Sequence, residues 1–264
     1  MAIVLVTGGT GSLGREVVAR SLAGRHRVRI LTRQPKAPLS NAEVFSGSLA
    51  DASIVRRAAI DADVIIHCAS NSKDPQAADV EGTRALVESA EAVGSPHLIY
   101  ISIVGVDRST FPYYQAKHLA EEIVQASGLP WTILRATQFH GFVLRILQTL
   151  GIDTLPEVPV PAGMRFQSVD VGEVAGRLVE LAEMEPSRRV YELAGPEVLS
   201  IEEMARQYLR TRQGSAKIRV ELLGGFYEVF RSGVNLCPTG ELGKTTWAAF
   251  LSSAFLNSTT PTAS

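Results

Sequence analysis

The sequence has few cysteines and no excess of either charge. Two cysteines, Cys68 and Cys237, occur in 264 residues, so no disulfide framework is expected. Cys68 lies in the apolar stretch DVIIHCAS, where a thiol behaves as a small buried hydrophobe. The 26 basic and 27 acidic residues leave a formal net charge of -1, so no global field attracts nucleic acid or an anionic membrane. Chemistry on small molecules is favoured.

Long hydrophobic runs are also absent. No apolar stretch approaches the roughly 20 residues that a membrane helix needs. The opening MAIVLV is too short for the core of a signal peptide and has no basic segment before it. We therefore expect a reducing, cytoplasmic setting. The 45% of hydrophobic residues suffices for one sizeable core or two small ones.

Short β-rich runs alternate with helical patterns through the first half of the chain. AIVLVT, RVRILT, DVIIHC and HLIYIS are apolar on both faces, and segments such as LGREVVARSLAG separate them. Such strands, joined by helices, predict a parallel sheet covered on both sides. Right-handed crossovers make it a doubly wound α/β fold of the Rossmann type.

The alternation of strand and helix patterns becomes less regular after Arg135. This change predicts a smaller C-terminal substrate lobe. We expect a single NAD(P)-binding domain at 1–252, with the nucleotide-binding core at 1–135. The substrate lobe and its lid elements would occupy 136–252. The small polar residues at the end predict a flexible tail at 253–264.

The stretch VTGGTGSLG places a glycine-rich turn between the first strand and the first helix. Gly8 permits the tight turn, Gly11 lets a pyrophosphate approach the backbone, and Gly14 lets the helix pack on the strand. Free N–H groups and the helix dipole then form an anion site. Further hydrogen bonds would come from Thr10, Ser12 and Leu13. This context predicts dinucleotide binding, and the alternative is a purely structural turn.

The second strand, RVRILT, ends at Arg33. An acid at this place selects the 2′-OH of the adenosine ribose, whereas an arginine accommodates a 2′-phosphate. No carboxylate occurs between Glu16 and Glu43, and a guanidinium can hold a phosphate through two parallel hydrogen bonds. The residues favour NADP over NAD. A solvated basic face is the alternative.

The segment STFPYYQAKHLAEEIV predicts a helix on which Tyr113 and Lys117 share one face. An ammonium beside the phenol would lower the phenol pKa from about 10 and make it a usable acid or base. Lys117 could also hold the nicotinamide ribose. Ser102, at the end of HLIYIS, could hydrogen-bond a substrate carbonyl. Alternatively, Tyr113 only starts the helix, Lys117 pairs with Glu121, or Tyr114 is the active tyrosine.

Together, TGGTGSLG and YYQAK resemble the short-chain dehydrogenase/reductase superfamily. Within it the chain is similar to the atypical, NmrA-like NAD(P)-binding proteins, which share the TGxTGxxG fingerprint, an arginine after the second strand and a phrase like SGLPWTILR. The likeness spans roughly residues 1 to 250. It implies that Gly8, Gly11 and Gly14 line the pyrophosphate and that Arg33 meets the 2′-phosphate.

The resemblance extends to other cofactor contacts and to the substrate side. It implies that Ala69 and Ser70 lie beside the cofactor and that the turn from Ala136 to Phe139 flanks the nicotinamide. Where many relatives have a carboxylate on the adenine side, this chain has Ser48, followed by Leu49. Phe139 and His140 follow the sixth strand and are expected in a substrate pocket. No histidine has metal-ligand spacing, so no metal is expected.

These features favour an NADPH-dependent reductase that passes a hydride to a small organic carbonyl or quinone. Tyr113 would supply the proton, Lys117 would adjust the pKa of the Tyr113 phenol, and Ser102 would position the acceptor. One alternative is a non-catalytic NADP(H)-binding redox sensor, since NmrA-like proteins include such regulators. Another is a nucleotide-sugar epimerase or dehydratase, which normally needs a larger C-terminal lobe. The expected partner is a small-molecule substrate, with neither nucleic acid nor membrane, and the expected state is a monomer or homodimer.

Overall fold

A computed structural model describes residues 1–33 and 41–256 of the protein. Strands and helices are numbered in chain order. The strands are β1 Ile3–Thr7, β2 Arg27–Thr32, β3 Glu43–Ser46, β4 Val64–His67, β5 His97–Ile103, β6 Trp131–Ala136, β7 Glu157–Pro161, β8 Arg165–Phe166, β9 Val190–Ala194, β10 Leu199–Ser200, β11 Lys217–Glu221 and β12 Glu241–Leu242. The α-helices are α1 Ser12–Ala23, α2 Ala52–Ala59, α3 Gly82–Glu91, α4 Pro112–Ala126, α5 His140–Thr149, α6 Val171–Glu183, α7 Ile201–Arg212, α8 Glu228–Arg231 and α9 Trp247–Leu256. A π-helix, Gln76–Glu81, precedes α3, and Val106–Arg108 and Gly225–Tyr227 are 3-10 turns.

The chain forms two compact units. The first comprises Met1–Ala136 and Val171–Glu192, and the second comprises Thr137–Asp170 and Leu193–Ser264. The first stretch of the first unit ends one residue beyond the predicted core of residues 1–135. Residues 171–192, however, return to the first unit, where α6 packs on α1, whereas an unbroken lobe over 136–252 was expected.

The first unit is built on the parallel sheet that the sequence predicts. Strands β3, β2, β1, β4, β5 and β6 lie side by side in that order, followed by β9. The last two residues of β9 belong to the second unit. They pair with β12, which is the eighth strand of the sheet. The chain passes from β1 outward to β3 and then returns to the other side of β1 at β4. The doubly wound α/β fold is therefore confirmed, with its topological switch point between β1 and β4.

Both faces of the central strands are buried, which explains their continuous apolar sequence. All four residues of β4 and the first six of β5 are buried. Leu5, Ile65, Leu98 and Ile133 belong to one apolar core with the flanking helices. A strand that is buried on both faces needs apolar residues at every position rather than at alternate ones.

The second unit has an apolar core of its own. Val158 and Phe166 pack there with Tyr208 of α7, Phe230 of α8 and Trp247 of α9. Helix α9 ends at residue 256, so residues 253–256 are helical where a tail was expected from residue 253; the rest of that tail lies outside the described residues. Within residues 1–33 and 41–256, no helix is both long and apolar enough to cross a membrane.

Candidate functional site

A cavity of about 420 Å³ opens at the carboxyl ends of β1, β2 and β4. Five stretches of chain form its walls: the glycine turn, the end of β2, the residues after β3, the loop after β4 and the π-helix. This place is the topological switch point of the sheet, where doubly wound proteins bind their ligands. Eight of the predicted cofactor residues line the cavity: Gly8, Thr10, Gly11, Arg33, Ser48, Leu49, Ala69 and Ser70.

Two glycines of the turn are required by the packing of the protein itself. Gly8 has φ +67°, and a Cβ at this residue would lie 2.7 Å from the backbone of Ala69. A Cβ on Gly14 would overlap the carbonyl oxygen of Gly8. Only glycine can satisfy both the left-handed turn and the close helix contact. Gly14 therefore does not line the cavity but holds α1 against the turn.

Gly11 differs from these two glycines. It precedes the first residue of α1, no side chain caps the helix there, and the first turn carries no acid. A Cβ on Gly11 would meet only the carbonyl oxygen of Gly8, at 3.4 Å, so the surrounding protein tolerates a side chain. The cradle at Gly11 and the uncapped N–H groups of a 12-residue helix fit a diphosphate that approaches the backbone closely.

The other predicted cofactor residues lie elsewhere. Ser12 is exposed on the first turn of α1, whereas the side chain of Leu13 packs into the interior. Ala136 and Lys117 are each 2% exposed and do not line the cavity. Their contacts with a cofactor stay predictions.

Arg33 lies at the cavity rim beside polar hydroxyls. Its side chain is exposed, and no ion pair joins it to a carboxylate of the described residues. The hydroxyls of Thr10 and Thr32 lie 3.2 Å apart, and the Ser48 hydroxyl accepts from an amide two residues on. By contrast, Arg29 is bound to Glu43 at 3.2 Å. Arg33 thus lies at the cavity without a carboxylate partner among the described residues, and its contact with a 2′-phosphate stays a prediction.

A chain of hydrogen bonds ties the glycine turn to the π-helix. The amide of Ala69 donates to Thr7 Oγ1 at 3.3 Å, and Thr7 Oγ1 lies 2.6 Å from His67 Nδ1. On the other side, His67 Nε2 lies 3.0 Å from Thr83 Oγ1, whose hydroxyl donates to the Asp79 carbonyl. His67 Nε2 is therefore the donor and Nδ1 the acceptor. Burial lowers the pKa of His67 to about 3, so the ring is neutral.

Lys117 is buried in an ion pair that the sequence analysis missed. Its Nζ donates to the carbonyl of Ile101 at 2.8 Å and lies 3.5 Å from Asp79 Oδ1. The ammonium also lies 4.1 Å from the centre of the Tyr100 ring, within cation–π range. Burial lowers the pKa of Lys117, although the Asp79 charge opposes this shift. Asp79 lies between Ala78 and Val80, and this acid between two apolar residues was the available signal.

The alternative partner of Lys117 is already occupied. Glu121 accepts two hydrogen bonds from Arg135, one from Nε at 2.9 Å and one from Nη2 at 2.7 Å. Its side chain is fully buried in this bidentate pair. The surface pairing considered for Lys117 and Glu121 is therefore wrong, because each has a different buried partner.

Tyr113 meets Ser70 instead of Lys117. The two hydroxyl oxygens lie 2.8 Å apart, and Ser70 lines the cavity. Burial and, secondarily, the Asp79 charge raise the pKa of Tyr113 to about 12, while the Ser70 hydrogen bond lowers it. The expectation that Lys117 lowers this pKa is therefore wrong: no contact joins the ammonium to the phenol among the described residues.

Two buried hydroxyls on β5 have no hydrogen-bond partner among the described residues. They belong to Tyr100 and Ser102, two residues apart and hence on one face of the strand. Ser102 is 2% exposed, so the predicted acceptor-binding serine is present but covered. Tyr114, the alternative tyrosine, packs its buried ring edge-on against Phe111.

Phe139 and His140 lie in the second unit. His140 is 1% exposed; its Nε2 donates to the carbonyl of Thr245 at 3.0 Å and its Nδ1 lies 2.8 Å from the Ser168 hydroxyl. Both ring nitrogens are thus used, so the prediction that His140 faces a substrate is wrong. Phe139 is half-buried and stays a predicted pocket residue. The described residues contain no group of three or more His, Cys, Asp or Glu that could hold a metal ion.

Comparison with known proteins agrees with this geometry. A family model described as NAD(P)H-binding matches residues 8–141. The chain is 29% identical over 231 residues to a (4-alkanoyl-5-oxo-2,5-dihydrofuran-3-yl)methyl phosphate reductase of Streptomyces griseus, covering 84% of this chain and 77% of that protein. It is 27% identical over 213 residues to the chloroplastic protein High Chlorophyll Fluorescence Phenotype 244 of Arabidopsis thaliana, covering 76% of this chain and 53% of the relative.

The chain thus spans about half the length of the Arabidopsis relative. Among solved structures, an NADPH-dependent quinone oxidoreductase of Escherichia coli superposes with a TM-score of 0.77 at 17% identity, covering 96% of this chain and 99% of that one. This likeness shows a shared fold. With the fold, the glycine turn and the match over residues 8–141, the chain belongs to the NAD(P)H-binding family.

Proposed function

We propose that the protein is an NADPH-dependent reductase that transfers a hydride to a small organic carbonyl or quinone. The observation that carries the proposal is the 2.8 Å contact between Tyr113 and Ser70. Ser70 lines the cavity beside the glycine turn. The contact supports Tyr113 as a phenolic proton donor beside the cavity that the glycine turn lines.

The cavity supports NADPH as the cofactor. The N–H groups at the start of α1 would hold the diphosphate against Gly11, and Arg33 would hold the 2′-phosphate with the neighbouring hydroxyl of Thr32. When bound, the dihydronicotinamide supplies the hydride. The residues of the chain orient the reactants and deliver the proton.

Tyr113 suits the direction of reduction. A phenol whose pKa is raised to about 12 is protonated at neutral pH and can donate to an acceptor oxygen that gains negative charge. Lys117 does not lower the pKa of the phenol; its ammonium donates instead to the Ile101 carbonyl on β5. Ser102 stays the proposed contact for the acceptor.

Two proteins similar to this chain support a reductase. The Streptomyces griseus relative is named as a reductase of a butenolide phosphate, and the Escherichia coli structure is named as a quinone oxidoreductase. The acceptor class therefore rests on the site and on these names together.

NADPH consumption with a panel of quinones and aldehydes tests the proposal. We expect turnover by the wild type and a loss of about 100-fold or more in kcat for Tyr113→Phe, because general acid catalysis contributes about 10²–10⁴-fold. Tyr114→Phe is the matched control on the same helix and should keep the wild-type rate. An unchanged kcat in Tyr113→Phe contradicts the assignment of the proton donor.

One observation favours a second function, a non-catalytic NADP(H) sensor. The buried pair of Lys117 with Asp79 leaves the phenol without the neighbouring ammonium on which tyrosine catalysis was expected to depend. A sensor would bind NADPH tightly and consume none with any acceptor in the panel.

A further inference from the structure

We propose that Ser70 is a positioning residue that returns a proton to Tyr113, so that reprotonation does not pass through Lys117. This inference rests on the proposed reductase function and assigns a route within that site. Its basis is the pair of hydroxyls formed by Tyr113 on α4 and Ser70 after β4, with oxygens 2.8 Å apart.

The two hydroxyls connect a covered group to the open cavity. Tyr113 is half-buried, whereas Ser70 is exposed and belongs to the cavity wall. A serine hydroxyl can donate one hydrogen bond and accept two. Ser70 can therefore donate a hydrogen bond to the phenol oxygen while it accepts one from water in the cavity. The half-buried Tyr113 has less access to that water.

The route through Lys117 is closed in this arrangement. The Nζ atom points to the Ile101 carbonyl and to Asp79, and the lysine side chain is 3% exposed. No hydrogen bond links it to Tyr113 among the described residues. A proton that left the ammonium would also leave Asp79 as a buried, uncompensated charge, which is costly.

The proposed step balances as follows. The acceptor takes a hydride, with its electron pair, onto carbon or the quinone ring system, and the O–H bond of Tyr113 breaks as its proton moves to the acceptor oxygen. The resulting phenolate takes the proton of Ser70, and the Ser70 oxygen takes one from water in the cavity. The net result is transfer of one hydride from the cofactor and one proton from solvent.

Steady-state kinetics of the full-length protein with NADPH and an accepted quinone or aldehyde test the route. We expect Ser70→Ala to lower kcat about tenfold, the effect of losing one hydrogen bond in the rate-limiting proton step. Ser70→Thr keeps the hydroxyl and should restore most of the rate. Ser72→Ala, two residues further along the same exposed loop, is the matched control. The solvent isotope effect on kcat should rise in Ser70→Ala, and the Kd for NADPH should change less than kcat.

A second readout needs neither cofactor nor turnover. In protein labelled with ¹³Cζ-tyrosine, the resonance that disappears in Tyr113→Phe identifies the phenol. We expect this resonance to shift in Ser70→Ala and to stay in place in Ser72→Ala. The shift reports the hydroxyl pair directly.

The outcomes separate this inference from the proposed function. If the wild type turns over and Ser70→Ala keeps the wild-type kcat, or leaves the Tyr113 resonance unmoved, the Ser70 route is overturned and the reductase stands. A rate that Ser70→Thr fails to restore also overturns the route. If the wild type consumes no NADPH with any acceptor, the reductase is overturned and the route with it.

Discussion

The glycine turn and the helix that carries Tyr113 differ in what decides their geometry. At the turn, Gly14 is fixed by contact with the backbone of Gly8 and Gly9, and Gly8 by its left-handed φ and by the backbone of Ala69, which follows β4. On α4, the spacing puts Tyr113 and Lys117 on one face, but the ammonium is directed by Asp79 and Ile101, which lie on other elements.

The geometry of the turn is determined by the backbone, whereas the geometry at Lys117 is determined by where its side chain points. A backbone turn that requires glycine leaves a local sequence signature, because no other residue fits. A long lysine side chain can point in several directions from the same Cα. Its partner is therefore set by tertiary structure, and a short motif does not reveal it.

The largest expected effect comes from removing Asp79. Asp79→Ala leaves the Lys117 ammonium buried without its counter-charge, and we expect the free energy of unfolding to fall by about 3–5 kcal/mol. Urea unfolding measures this change. The double variant Asp79→Ala/Lys117→Met removes both charges and should recover most of the loss. If Asp79→Ala is as stable as the wild type, the buried pair does not direct the lysine. That result would contradict the claim that tertiary contacts, rather than local sequence, orient Lys117.

Gly14→Ala tests the other side of the comparison. Its methyl group would overlap the Gly8 carbonyl oxygen, so we expect a loss of about 1–3 kcal/mol in the free energy of unfolding. Gly141→Ala is the matched control, since Gly141 lies in helix α5 with nothing within 4 Å of its Cβ position. That change should stabilise the protein by about 0.5–1 kcal/mol. Equal effects of the two alanines would contradict the close packing at the turn.

The neutral His67 that joins the glycine turn to the π-helix predicts an acid dependence of stability. His67 and His97 have pKa values lowered by burial from 6.5 to about 3 and about 4. Below pH 6.5 the unfolded chain binds protons that the folded chain does not, so stability falls as the pH falls. The slope should approach about 1.4 kcal/mol per pH unit for each histidine.

Unfolding free energies between pH 6.5 and 5 measure this slope, above the range in which exposed carboxylates titrate. His67→Gln should reduce it by about one histidine's share. A slope that His67→Gln leaves unchanged shows that His67 is protonated in the folded protein and would remove the neutral tether between the turn and the π-helix.

Arg33 gives a smaller effect, confined to one cofactor. Arg33→Ala should weaken NADPH binding about tenfold, the value of one charge-assisted contact at an exposed site, and should leave NADH binding nearly unchanged. Arg27→Ala, an exposed arginine of β2 that does not line the cavity, is the control. Equal losses for NADPH and NADH would count against the 2′-phosphate assignment.

Much of the fold could be predicted because it rests on local patterns. Strands such as β4, apolar at every position, indicate a parallel sheet without reference to the rest of the chain. The return of α6 to the first unit could not be predicted in this way, since an amphipathic helix shows that it has a buried face but not which surface covers that face.

The residues of the site also divide into those that local sequence predicts and those that tertiary contacts determine. Eight residues predicted to contact the cofactor line the cavity, and they follow from the turn, the strand ends and the family resemblance. Asp79 was missed because it lies on a π-helix, whose wider turn changes the face on which a residue falls. His140 was misassigned because its partners, Ser168 and Thr245, come from distant segments.

Titration calorimetry of the wild type and Gly11→Ala with NADPH tests the central claim, that the cavity at the glycine turn holds the cofactor. The account predicts saturable binding to the wild type. It also predicts at least about tenfold weaker binding to Gly11→Ala, with an unchanged free energy of unfolding, since the alanine methyl fits the protein but occupies the place of the diphosphate. Equal affinities, or no saturable heat with the folded wild type, would contradict it.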